Sequence, residues 1–246
     1  MIQFSGISIE LDAITHYLKK NFKLKEICQS LLHQQLITEA AAARGLVVAD
    51  VEVQAEAEKQ RREKGLEKAA DTLVWLADEL IASEDWEAGI RDRLLRQKLS
   101  ESLFAEQAKK FFAENRLNFE QISVYQLTVA DQKLAQEISY QIQEQEITFY
   151  EAAHLYDLNS KRRYQCGYEG HLYRWKIEPD ISVAIFGSQP GEVIGPLPTN
   201  EGYSLLMVEE FMSPELTPEV YQEILNSLFE EWLANELDYI LYHKIN

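Results

Sequence analysis

Cysteine is scarce in this chain. There are two in 246 residues, Cys28 and Cys166. They lie far apart, with no CxxC spacing and no histidine at metal-ligand spacing. They read most simply as reduced, ordinary residues, and no zinc centre, other metal or cofactor is expected. Proline is absent before Pro179, so nothing breaks long helices over the first two-thirds of the chain. Positive charge is also short. Lys and Arg number 24 against 41 Asp and Glu, a formal net charge of −17. The deficit is uneven: residues 1–118 carry 17 against 20, whereas residues 119–246 carry 7 against 21. Such a surface repels nucleic acid and anionic lipid. No apolar run reaches the ~18 residues of a membrane span, so membrane insertion is not expected. The opening MIQFSGISIELDAITHYLKK has no basic segment followed by an apolar core, so the expectation is a cytoplasmic chain.

The first half reads as helical. Apolar residues recur at helical spacing from Leu11 to Arg44, including Leu24, Ile27, Leu31 and Ile37, and Gly45 suits the position just past a helix end. Asp50 is the expected N-cap of a second helix closing at Gly65. A third helix is expected over 66–82. Ser83 caps a fourth that runs to about Asn115, with Glu84 and Asp85 in its first turn, where the helix dipole favours acids. His16 and His33 have no ligand partner at i+4 and read as structural.

The pattern changes near Gln121. ISVYQLTV alternates and is rich in β-branched and aromatic residues, as a strand should be. A helix over 130–146 follows, then FYEAAHLYD capped by Thr148, a loop over 158–166, a strand GHLYRW and a short helix EPDISVAIFGS. Two strands joined through the turn TNEG complete a β-α-α-β-α-β-β order. Thr217-Pro218-Glu219 is a strong helix start. The last helix bears Val220, Ile224, Leu225, Phe229, Trp232, Leu233 and Leu237. A stripe that broad requires a partner, so this helix should return to the N-terminal helices.

Several motifs in the second half form one spaced series. Phe149, Ala153 and Tyr156 come first, then Gly167 and Gly170. Phe186, Gly191-Glu192, Gly195-Pro196, Thr199, Gly202 and Val208 follow. This series resembles the parvulin-type (PpiC-type) prolyl isomerases, and the helical flanks resemble SurA-type chaperones. The resemblance implies an α+β protein: a SurA-like helical domain (1–118), an inserted four-stranded parvulin-like domain (119–211) and a C-terminal helix (212–246) packing on the helical domain.

It also implies a site. Where the family places two histidines on neighbouring strands, this chain is read as having Tyr125 and Ser204, and the family's cysteine or aspartate falls on Asn159. The implied peptide groove is lined by Leu127, Glu169, Leu172, Ile177, Ile181, Phe186 and Thr199. Glu169 stands where an apolar residue is usual. A carboxylate there must reach solvent or pair with Arg162, Arg163 or Arg174. The implied partner is unfolded or extended polypeptide. Three functions follow from the family. The first is a chaperone-like holdase with weak or no isomerase activity. The second is an active isomerase, and the third is a dedicated scaffold in an export or peptide-maturation system.

Overall fold

The computed structural model describes residues 2–4 and 6–245. By its internal contacts the chain divides into two compact units: residues 1–109 with 222–246, and residues 110–221.

The first unit opens with a short antiparallel hairpin, β1 (Ile2–Phe4) and β2 (Ile7–Ile9). Alternation over so few residues is too brief to be read from sequence. Helices α1 (Leu11–Lys20), α2 (Leu24–Ala43), α3 (Asp50–Glu63), α4 (Ala69–Asp78) and α5 (Ser83–Glu114) follow. The periodicity from Leu11 to Arg44 is thus carried by two helices. The chain turns at Phe22, which has φ 57°, and the Asn21 side-chain amide donates to the Tyr17 carbonyl at 2.8 Å, closing α1. Asp50 is not a cap but the first helical residue. Glu52 instead accepts from the Ala49 N–H at 2.9 Å, which leaves Asp50 to pair with Arg91 at 2.8 Å. The third helix is shorter than its pattern, ending before Leu80 at φ 58°.

Apolar clusters among the described residues hold this unit. Val48, Val53 and Ile90 pack with Trp86 and Leu94. Ile37 of α2, Leu99 of α5, and Phe229 and Leu233 of the last helix α10 (Pro218–Ile245) pack together, flanked by Trp232. The C-terminal helix therefore returns to the helical unit, because its broad apolar stripe is covered there by α2 and α5. Arg96 adds an ion pair to Glu230 of α10.

The second unit is built on a four-stranded sheet. Its strands are β3 (Gln121–Val129), β4 (Tyr168–Tyr173), β5 (Val193–Thr199) and β6 (Gly202–Met212), in the spatial order β4-β3-β6-β5, all antiparallel. Between β3 and β4 lie α6 (Gln132–Gln143), α7 (Phe149–Tyr156) and α8 (Ser160–Tyr164), and α9 (Pro179–Phe186) follows β4. The segment read as a loop is the helix α8, for which Asn159 Oδ1 accepts from Arg162 N–H at 3.1 Å. Its pattern is masked because a single helical turn is too short for periodicity to register.

Side chains alternate across the sheet. Leu127, Val129, Leu205 and Met207 bury one face with Ala135, Ile138, Phe149 and Ala153 of α6 and α7. Ile122, Val124, Leu206 and Val208 bury the other with Ile185 of α9. Gly202, at φ 139°, lets the β5–β6 turn press on β3: a Cβ there would lie 2.2 Å from the Val129 carbonyl oxygen.

Candidate functional site: a polar network on an apolar face

The face covered by α9 carries the site. Leu172 of β4 and Ile177, Ile181, Phe186 and Leu197 lie partly buried against its core. Ile177 follows a short 3₁₀ turn, Arg174–Lys176, and Pro179 starts α9 at the position where a missing N–H costs nothing. Arg174 stacks over the Phe186 ring at 4.2 Å and pairs with Glu120 at 2.7 Å, fixing one end of this face.

On the same face a polar network joins β3 to β6. Thr128 and Ser204 are directly opposite in the antiparallel register, and their hydroxyls lie 2.8 Å apart. Gln126, two residues back on β3, donates from Nε2 to Thr128 Oγ1 at 3.2 Å and to Ser204 Oγ at 3.1 Å. Arg162 of α8 reaches in from the side. Its Nη2 donates to Thr128 Oγ1 at 3.0 Å, and its Nε and Nη2 grip both oxygens of Asp157 at 2.6 and 2.9 Å. Its Nη1 donates to Glu169 at 2.5 Å. Asp157 is wholly buried and also accepts from the backbone N–H groups of Thr128 and Asn159. Burial pulls the Arg162 guanidinium down, but the bonds to Asp157 and Glu169 outweigh it and leave its pKa raised. The cation is permanent, and the buried charge is matched by two acids.

Several residues expected at the site stand elsewhere. Tyr125 and Leu127 point to the opposite face, into the core under α6 and α7. There Tyr125 meets the rings of Tyr150 and Tyr168 at 4.9 and 5.2 Å, and burial, then the nearby Glu209 carboxylate, push its hydroxyl pKa up. The reason is the period of two in a strand: Tyr125 shares its phase with Leu127 and Val129, whereas Gln126 shares its phase with Thr128. The β3 residues that meet Ser204 are therefore Thr128, directly opposite, and Gln126, two residues before it. Asn159 caps α8 rather than facing the strands, and the buried acid is Asp157. Thr199 closes the β5–β6 turn by donating to the Gly202 carbonyl at 3.1 Å. Ser204, Glu169, Leu172, Ile177, Ile181 and Phe186 do share the site, and Glu169 is paired by Arg162. The one available sequence signal for Gln126 was this alternation. Nothing in the spacing marks Asp157.

Residues 125–210 match the family described as Rotamase, PPIC-type PPIASE domain. They form a PpiC-type, parvulin domain. The PpiC-type domain thus spans β3 to β6 and includes the whole polar network. Among curated proteins, the foldase protein PrsA of Caldanaerobacter subterraneus subsp. tengcongensis is 24% identical over 217 residues, covering 88% of this chain and 64% of the relative. The chain therefore spans just under two-thirds of that protein's length. Among solved structures, PrsA of Bacillus anthracis is 19% identical, with a TM-score of 0.48 over 85% of this chain and 89% of its own. A SurA-like chaperone of Campylobacter jejuni is 18% identical, with a TM-score of 0.37 over 99% and 95%.

Proposed function

We propose that this chain is a peptide-binding holdase of the parvulin class, taking unfolded or extended polypeptide on the α9-side face of its PpiC-type domain, with weak or absent prolyl isomerase activity. One observation carries the reading. The strand residues that make the network, Gln126 and Thr128 on β3 and Ser204 on β6, include no histidine, and they bond one another while Arg162 holds Thr128. Rotation about an X–Pro bond faces a barrier of roughly 20 kcal/mol. An apolar surface favours the twisted amide, which has lost charge separation, and a tuned hydrogen-bond network lowers the barrier further. Replacing the tuned pair costs roughly 2–4 kcal/mol of that lowering, a factor of about 30 to 1,000 in rate. The apolar side chains Leu172, Ile177, Ile181 and Phe186 remain, so capacity to hold a chain is retained where capacity to turn it is reduced. Kinship with a protein named as a foldase supports a polypeptide client. The acidic balance of residues 119–246 favours neutral or basic clients, with binding that weakens as salt rises.

The test is suppression of aggregation of a chemically denatured enzyme, with wild type against Ile181→Asp. The expected result is suppression by wild type and its loss in the variant. Absence of suppression by wild type would remove the holdase reading. Equal suppression by both would place the client on the helical unit instead.

A further inference from the structure

We propose that the junction of α1 and α2 docks on the surface of an anionic lipid bilayer. Phe22 enters the boundary between headgroups and acyl chains, and four lysines around it lie on the headgroups. This docking is peripheral, and it is independent of the peptide face.

Residues 13–25 read AITHYLKKNFKLK. They hold Lys19, Lys20, Lys23 and Lys25 and no acid, Asp12 and Glu26 being the nearest in sequence, inside a chain with 24 basic and 41 acidic residues. The sign that repels anionic lipid over the chain as a whole is reversed at this one place. At physiological salt a charge is felt over about 8 Å, so a surface that meets this junction meets the lysines rather than the net charge. All four are exposed. Among the described residues none of them is ion-paired, whereas Lys98 and Lys109 of α5 pair with Glu52 and Glu106.

The apolar half of the pattern is as clear. By helical spacing Leu11, Ile14, Tyr17 and Leu18 fall on one side of α1, and Asp12, His16, Lys19 and Lys20 on the other. A helix so divided ordinarily buries its apolar side, yet α1 buries no residue. In the first two turns of α2, Ile27 and Leu31 are exposed as well. The first buried residue of α2 is Ile37, thirteen residues past Leu24, or about 20 Å along the helix. Phe22, between the two helices, is 92% exposed and has φ 57°. A bulky side chain at positive φ is an outlier, and the fold gains no packing from this one.

The kind of cation decides between a bilayer and a protein partner. Residues 1–43 contain these four lysines and no arginine. Protein interfaces are enriched in arginine and depleted in lysine, because a planar guanidinium pairs in fixed geometry and an ammonium does not. Lysine suits a lipid surface: its stem lies along apolar material while its head stays among the hydrated headgroups. A side chain that protrudes as Phe22 does suits a flat boundary, where a protein would have to offer it a pocket. A basic helix with an apolar, aromatic side lies in the bilayer interface for these two reasons together. Each lysine near an anionic surface adds about fivefold to the affinity.

The experiment is flotation of the full chain with two kinds of vesicle, phosphatidylcholine alone and phosphatidylcholine with phosphatidylserine in equal parts, at low and at high salt. Wild type should float with the mixed vesicles at low salt, and about tenfold less or lower still with phosphatidylcholine alone or at high salt. Phe22→Asn should lower the partition about tenfold. Asparagine accepts positive φ, so this variant keeps its fold. Lys19→Gln, Lys20→Gln, Lys23→Gln and Lys25→Gln together should lower it by about a hundredfold or more. Lys109→Gln with Lys110→Gln, on α5, should leave it unchanged. The proposal is overturned if wild type fails to float with the mixed vesicles, floats equally with both kinds, or is matched by either junction variant. It is overturned too if light scattering shows wild type self-associated and Phe22→Asn monomeric at the same concentration, which would assign the junction to a second copy of this chain.

Discussion

Arg162 holds two carboxylates, and one of them, Asp157, has no surface open to solvent. Removing one partner of a buried pair leaves the other charged and uncompensated, which costs about 3–5 kcal/mol. Arg162→Met should therefore lower the stability of the PpiC-type domain by that amount, seen as loss of hydrogen-exchange protection at the β3 amides. Protection equal to wild type would mean that Asp157 is held by its backbone donors alone. Residue identity also decides which change restores catalysis. Gln126→His with Ser204→His places histidines at two hydrogen-bonded positions on the neighbouring strands β3 and β6 and should raise isomerase activity. Tyr125→His should not, since Tyr125 lies under α6 and α7 with Tyr150 and Tyr168. A rate increase from Tyr125→His alone in an isomerisation assay would contradict the face assignment. Ser204, Glu169 and the apolar residues of α9 were legible because motif spacing fixes them. The one-residue slip onto Tyr125 arose because spacing alone does not say which face a strand residue takes, and the alternation that does say so is a weaker signal. Asp157 and Thr128 became visible only with Arg162 in place, since their partners come from three separate elements.

At the level of elements, α7 and the β5–β6 turn depend on single devices. Glu151 accepts from the Thr148 N–H at 2.9 Å while Thr148 Oγ1 accepts from the Glu151 N–H at 3.2 Å. The bond from the Thr148 backbone, then that from its hydroxyl, holds the Glu151 pKa below its ordinary value. A depressed acid contributes stability that is present above its unfolded pKa and lost as pH falls through its folded one. The stability gap between wild type and Glu151→Gln should thus be present at neutral pH and close as pH falls through and below the usual carboxylate range. A gap that persists in acid would show that the cap does not depend on the charge. At Gly202, the required φ of 139° and the contact with Val129 leave no room for a side chain. Gly202→Ala should cost about 2–3 kcal/mol or more in chemical denaturation; a loss below 0.5 kcal/mol, the scale of an ordinary surface change, would show that the turn shifts freely. Thr148 and the residues of TNEG announce these devices in the sequence. The break at Phe22 and the one-turn helix α8 carry no comparable signal, because each is set by contacts that span too few residues for a period to form.

At the scale of the whole chain, the return of α10 makes the helical unit discontinuous in sequence. Phe229 and Leu233 fill its core beside Ile37 and Leu99. Phe229→Ala should cost about 3–5 kcal/mol, with the loss of exchange protection falling on α2 and α5; protection unchanged there would contradict that packing. Among the described residues no helix is long and apolar enough to cross a membrane. Holding a chain and isomerising it are separable acts, and the central claim is that this molecule does the first far better than the second. Exchange NMR on a proline-containing peptide reports both in one sample: shift changes report binding, and cis–trans exchange peaks report turnover. The expected result is saturable shift changes on the peptide with exchange about 30- to 1,000-fold slower than a histidine-bearing parvulin domain gives at the same concentration. Exchange as fast as that domain's, at catalytic amounts of this chain, would contradict it.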